Sequence, residues 1–177
     1  MKNRYGIDIW SDDNFFIEDG VVKVNYKPYP SLIKIVKDVR KQGFKGPLLL
    51  RFPHITKKQV KTLFNTFNAS IKEYDYKGKF NAVFPLKVNQ LPNFIHPLVS
   101  YGKKYNYGLE AGSKAELVIA MTYNNMGSPI TINGFKDKEM IHLCFIAKSM
   151  GHNITVIIEG LNELEMILEV LKETKME

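Results

Sequence analysis

Residues 128–160 read "SPITINGFKDKEMIHLCFIAKSMGHNITVIIEG". This stretch decides the fold class. "PITI" is a short apolar run between Ser128-Pro129 and Asn133-Gly134, a strand bounded by turn signals. "KEMIHLCFIAKSM" carries apolar residues at helical spacing and stops at Gly151. "NITVIIEG" is a second β-branched run. Strands alternating with helices imply a parallel sheet. Both strands are nearly continuous apolar runs, as expected where both faces are covered.

The same alternation extends in both directions. After residue 160, a helix is predicted from Asn162, with Glu165 at the capping-box position. Before residue 128, "YNYGLEA" reads as a strand, followed by a helix from Ser113 whose Glu116 completes a capping box. "NAVFPLKV" and "NFIHPLVSYGKK" supply another strand and helix. Four β/α units result. They fit an open doubly wound sheet or half of a (β/α)8 barrel, since a full barrel takes about 250 residues.

Upstream, Thr56 and Gln59 form a capping box before a helix that places Val60, Leu63, Phe64, Phe67 and Ile71 on one face. "GPLLLRFP" is predicted as a strand entered from Gly46-Pro47 and stopped at Pro53. Ser31 can cap a short helix carrying Leu32, Ile35, Val36 and Val39. "YGIDIW" and "FFIEDGVVKV" read as β-rich, with Asp19-Gly20 a hairpin turn. The expected organisation is an N-terminal β-rich segment with one short helix, 1–45, and an α/β domain, 46–177.

The bulk numbers narrow the function classes. A chain of 177 residues can bury a sizeable core. No apolar run is long enough for a transmembrane helix, and "MKNRYGIDIWSDD" lacks the apolar stretch of a signal peptide. No membrane role is expected. The single cysteine, Cys144, excludes an internal disulfide and fits a reducing, cytoplasmic setting. The net charge of +7 raises nucleic-acid binding. However, the lysines are scattered over helical patterns and no binding motif accompanies them, so no nucleic-acid partner is expected.

Polar residues recur at the strand ends: Lys87, Glu110, Asn133 and Glu159. Active sites of α/β folds gather at the C-terminal ends of strands. In "FPLKVNQ", strand alternation puts Lys87 with Val83 and Pro85, opposite the apolar Ala82, Phe84, Leu86 and Val88. A partly desolvated lysine there can act as an amine nucleophile and form a Schiff base. A snorkelling lysine at a strand end is the alternative, and spacing alone favours it. Pro85 removes a ladder donor from what should be an inner strand, which a bulge would resolve. "GLEAGSKAEL" fails the phosphate-loop pattern, because Gly112 precedes Ser113 rather than a lysine. Glu110 is a strand-end acid or a turn carboxylate. Asp137 is expected to cap the next helix. His54, His96, His142 and His152 have no metal-ligand spacing, and Cys144 reads as a buried helix residue.

"YGIDIWS", "PLLLRFP", "FPLKVNQ", "GLEAGSKAEL" and "NGFKD" occur in this order. Together they resemble the N-terminal part of the biosynthetic arginine decarboxylases, pyridoxal-phosphate (PLP) enzymes of the alanine racemase-like group. The resemblance covers nearly all of the chain. It implies the first half of a PLP-binding (β/α)8 TIM barrel, with Lys87 as the Schiff-base lysine and Glu110 near the cofactor. It further implies decarboxylation of L-arginine to agmatine for putrescine and spermidine synthesis, Mg2+ as a possible second cofactor, and a homo-oligomeric full-length enzyme. Ser113 maps to a helix start, a structural position. The family chain is several times longer, so the expectation is an N-terminal fragment, inactive alone. The phosphate-binding loop, the acid facing the pyridine nitrogen and the residues gripping the guanidinium would lie outside it. A decarboxylase of diaminopimelate, ornithine or lysine on the same fold is one alternative, and a basic nucleic-acid-binding module is another.

Overall fold

The computed structural model describes residues 4–174. The chain divides into two compact units, Met1–Ile55 and Thr56–Glu177.

In the first unit a 3-10 turn, Arg4–Gly6, leads into a four-residue helix, α1 (Ile7–Trp10). "YGIDIW" is therefore helical, not extended as its pattern predicts. Gly6 takes a left-handed conformation, φ 62°, and the Ser11 N–H donates to the Ile7 carbonyl at 3.0 Å, closing the turn. Only Ile7 is buried in this turn, so alternation had no second apolar face to serve. β1 (Phe15–Glu18) and β2 (Val21–Val24) form an antiparallel hairpin. Its turn residues have positive φ, Asp19 at 51° and Gly20 at 75°, as the turn that matches strand twist requires. α2 (Leu32–Lys41) starts at Ser31, whose hydroxyl accepts the Lys34 N–H at 3.2 Å. "GPLLLRFP" forms no strand. Leu49 is 73% exposed, and among the described residues no strand pairs with it. β propensity needs a neighbour to pack against.

α3 (Pro53–Glu73) begins three residues before the expected cap. Proline lacks the N–H that a first helical position would leave unbonded, so Thr56 falls inside the first turn. The apolar stripe is as expected: Val60 and Phe64 are buried with Leu98. The Phe64 ring stacks on Tyr105 with centroids 4.7 Å apart.

The second unit continues with β3 (Val83–Pro85), α4 (Pro92–Gly102), β4 (Gly108–Ala111), α5 (Lys114–Tyr123), β5 (Pro129–Ile132), α6 (Lys138–Ser149), β6 (Asn153–Val156) and α7 (Leu161–Thr174). The four strands form one parallel sheet in the order β3-β4-β5-β6. These are the four β/α units expected.

One sheet face is dry. Leu109, Ala111, Ile130 and Ile132 are fully buried against Ile95, Val99, Leu117, Ala120, Met140 and Cys144 of α4, α5 and α6. The other face is not covered by the described residues. β6 alternates between exposed and half-buried, and Thr131 and Thr155 lie on the open side. The expectation that both faces are buried fails here. The apolar runs "PITI" and "ITV" are each interrupted by one threonine, and that threonine lies on the open side.

Among the described residues β3 is paired on one side only, and its free side is the one that Pro85 faces. The Gly108 N–H donates to the Ala82 carbonyl at 2.9 Å. Backbone groups alternate in direction along a parallel strand, so Pro85 turns its missing donor toward the open edge. No bulge is needed. Gly108 permits close strand approach: a Cβ there would lie 1.9 Å from the Pro129 carbonyl oxygen.

Helix starts are fixed by side chains. Ser113 accepts the Glu116 N–H at 3.2 Å and Asp137 accepts the Met140 N–H at 2.8 Å. α7 departs from expectation. It starts at Leu161, and Glu163, not Glu165, reaches back to the Glu159 N–H at 2.8 Å.

Candidate functional site

The candidate residues lie at the C-terminal ends of the strands. Leu86–Val88 form a 3-10 turn directly after β3, so Lys87 sits two residues beyond the strand rather than within it. Leu86 is fully buried beneath it and anchors the turn. The register aligns Pro85 with Glu110, Glu110 with Thr131, and Thr131 with Thr155. Glu110 therefore lies in a transverse row on the open face, beside β3. Lys87 reaches back over that row, and its Nζ stands 3.8 Å from Glu110 Oε1. Strand alternation does not extend to this turn, where Val88 is exposed rather than packed; the pair with Glu110 is what places Lys87 over the open face.

The two partners differ in environment. The Glu110 side chain is 17% exposed and the Lys87 side chain 68% exposed. The described residues do not supply the partial desolvation expected around Lys87. An exposed pair of this kind contributes about 0–1 kcal/mol, so it orients the amine loosely. A primary amine open to solvent with a carboxylate alongside can condense with an aldehyde cofactor.

Asn133 and Glu159 take structural places at the same rim. The Asn133 N–H donates to the Ala111 carbonyl at 3.1 Å. The exposed Glu159 offers its N–H to Glu163.

A second lysine at this rim escaped sequence reasoning. Lys136, in "NGFKD", has a fully buried side chain, and its Nζ lies 3.1 Å from Glu163 Oε2. The same ammonium donates to the Gly134 carbonyl. Burial pushes the Glu163 carboxyl up, but the Glu159 N–H and the Lys136 ammonium outweigh it and hold the group below its usual value. Lysine is almost never fully buried unless paired, and nothing local in "NGFKD" marks an acid one β/α unit away.

Gln90, in "KVNQ", is also tied down: its Nε2 donates to Glu116 Oε1 at 3.1 Å. Glu116 Oε2 accepts the Gly112 N–H at 2.7 Å. The capping-box glutamate thus joins the Lys87 turn to the loop after β4.

Other candidates are quiet. Burial raises the Cys144 thiol to about 11, far from a reactive thiolate. Among the described residues, no three His, Cys, Asp or Glu side chains converge to hold a metal ion, and no helix is long and apolar enough to cross a membrane. Part of the lysine charge is matched by acids: Lys34 to Asp38, Lys114 to Asp137 and Glu139, Lys138 to Glu169 and Glu173.

No family model matches the chain. A biosynthetic arginine decarboxylase of Prochlorococcus marinus is 36% identical over 179 residues, an alignment covering 98% of this chain and 28% of that protein. The crystal structure of the biosynthetic arginine decarboxylase SpeA from Campylobacter jejuni matches with a TM-score of 0.93 at 62% identity, over 96% of this chain and 29% of that one. The structure of diaminopimelate decarboxylase from M. jannaschi shares the fold, with a TM-score of 0.65 at 24% identity over 92% of this chain and 34% of that one. The chain spans 28% of the length of the first of these relatives. In sequence and in fold it is a homologue of the biosynthetic arginine decarboxylases, matching a portion of their length.

Proposed function

We propose that this chain carries the cofactor-lysine portion of a PLP-dependent decarboxylase that converts L-arginine to agmatine and CO2. The observation that carries the reading is the pairing of Lys87 with Glu110 at the C-terminal rim of a parallel sheet, within a chain 62% identical to the Campylobacter jejuni enzyme. The four β/α units then correspond to the first half of a (β/α)8 barrel, with the open face of Glu110, Thr131 and Thr155 as its interior.

The donor chemistry fits PLP. Lys87 presents an exposed primary amine with one loose partner, Glu110, whereas the Lys136 ammonium is buried and already bonded. Lys87 would hold the cofactor covalently, and Glu110 would keep the amine over the rim. Bound PLP supplies an electron sink for the electrons left behind as CO2 departs. Gln90 and Glu116 hold the turn that presents Lys87. Such chemistry depends on excluding water, and Lys87 is largely exposed here. The isolated chain is therefore expected to accept PLP without turning over arginine.

The test is borohydride reduction of the PLP-treated chain, followed by peptide mapping, together with CO2 release from carboxyl-labelled L-arginine. Label concentrated on Lys87, and lost in Lys87→Ala, supports the reading. Label spread equally over surface lysines, unchanged by that substitution, refutes it. Arginine turnover by the isolated chain would refute the expectation that it is inactive alone.

A further inference from the structure

We infer that Lys136 and Glu163 are positioning residues of the Lys87 site, acting through a brace that runs across all four strand-end loops. The inference rests on the proposed role of Lys87.

The brace is continuous. At one end, Glu163 in the first turn of α7 holds the Glu159 N–H at 2.8 Å and so fixes the loop after β6. The same Oε2 meets the Lys136 ammonium at 3.1 Å, which joins that loop to the one after β5. Lys136 then bonds back to the Gly134 carbonyl. Gly134 has φ 136°, a conformation that L side chains rarely adopt, and a Cβ there would lie 3.1 Å from the Gly112 carbonyl oxygen. The neighbouring Asn133 N–H donates to the Ala111 carbonyl at 3.1 Å, so the loops after β5 and β4 are joined through their backbones. Gly112 donates its N–H to Glu116 Oε2 at 2.7 Å, and Glu116 Oε1 accepts from Gln90 Nε2 at 3.1 Å. Gln90 lies three residues beyond Lys87.

Each link is short, and most are buried or partly so. A buried ammonium has no cheap alternative arrangement, because leaving its charge unpaired away from water is costly. The Lys136–Glu163 pair therefore holds Gly134 in place, and with it the Asn133 N–H that binds the Ala111 carbonyl just before Gly112. A loop rim that moves as a set can present Lys87 at a fixed point over Glu110, although neither Lys136 nor Glu163 touches Lys87.

Hydrogen exchange on the purified chain tests the brace, combined with a PLP titration read by borohydride labelling. Glu163→Gln keeps the shape and removes the charge. A second variant, Lys136→Met with Glu163→Leu, replaces the pair by apolar side chains and guards against failure to fold. In either variant, exchange at 86–91 and 112–116 is expected to rise roughly fivefold or more, with α3 unchanged. The PLP concentration for half-labelling of Lys87 is expected to rise by a similar factor. Faster exchange confined to 133–136 and 159–163, or raised equally in α3, would overturn the inference, since the pair would then hold only its own loops or the fold at large. If the unaltered chain takes no PLP on Lys87, the decarboxylase reading fails, while the exchange pattern still decides whether the brace reaches residues 86–91.

Discussion

Gly108→Ala probes the strand spacing on which the Lys87–Glu110 pair depends. Gly108 opens β4, two residues before Glu110, and its N–H donates to the Ala82 carbonyl at 2.9 Å. An added Cβ would meet the Pro129 carbonyl oxygen at 1.9 Å and the Pro129 carbonyl carbon and Cγ at 2.8 Å. Two of these are backbone atoms, so no side-chain rotation relieves the clash. Ordinary contact begins at 3.4 Å, which means β4 and β5 must part locally by about 1.5 Å. That displacement breaks ladder hydrogen bonds worth about 1 kcal/mol each. It also loosens Leu109 against Ile130, both fully buried. The expected loss is about 3 kcal/mol or more, at the upper end of overpacking costs. With a urea slope of about 2 kcal/mol/M, the midpoint should fall by about 1.5 M. Helical ellipticity is the signal to follow, because the single tryptophan, Trp10, belongs to the first unit and reports on that unit. Gly46→Ala is the control, since a Cβ there meets nothing within 4 Å. It should change stability by less than about 0.5 kcal/mol. Equal midpoints for the two variants would refute the close approach of β4 and β5.

The remaining predictions concern the rim and the core. Lys87→Ala should leave stability within about 0.5 kcal/mol of the parent in urea titration, because its ion pair is exposed. The folded-state Glu163 carboxyl titrates below its unfolded value, so its contribution is complete above about pH 4.3 and is lost as pH falls through the lower folded value. Urea midpoints measured from neutral pH downward should therefore fall less steeply in Glu163→Gln than in the parent. Cys144 is 4% exposed with its thiol raised to about 11, so a thiol reagent should label it only as fast as the second unit unfolds.

Much of the sheet was legible because its signals are local. Ser31, Ser113 and Asp137 cap helices as their positions predict, and Asp19-Gly20 makes the expected turn. Each involves atoms within four residues of one another. The errors arise where a distant neighbour, or its absence, decides. "YGIDIW" and "GPLLLRFP" have strand composition, but a strand exists only with a partner, and neither finds one among the described residues. Thr56 and Gln59 match a capping box, yet Pro53 starts the helix first. Pro85 is awkward only if its strand is flanked on both sides, and among the described residues only β4 flanks it.

The two rim lysines mark where local reading stops and where a wider pattern begins. Both sit just past a strand, in "FPLKV" and "NGFKD", and both meet a glutamate of the next β/α unit, Glu110 and Glu163. Lys114 follows the same rule, pairing with Asp137 and Glu139 across 23 and 25 residues. So does Gln90, reaching Glu116 across 26. The cause is geometric. In a parallel sheet with helical crossovers, the equivalent position of the neighbouring unit lies one repeat along the chain. A lysine facing sideways therefore meets whatever stands about one repeat downstream. This lateral stitching accounts for part of the basic charge without a nucleic-acid partner. It also separates the two lysines by chemistry. Lys136 has its glutamate at 3.1 Å, a carbonyl besides, and no exposed surface, so its ammonium is committed to structure. Lys87 has its glutamate at 3.8 Å and most of its side chain in solvent. Of these two amines, Lys136 is spent on holding the rim together and Lys87 is left at its surface.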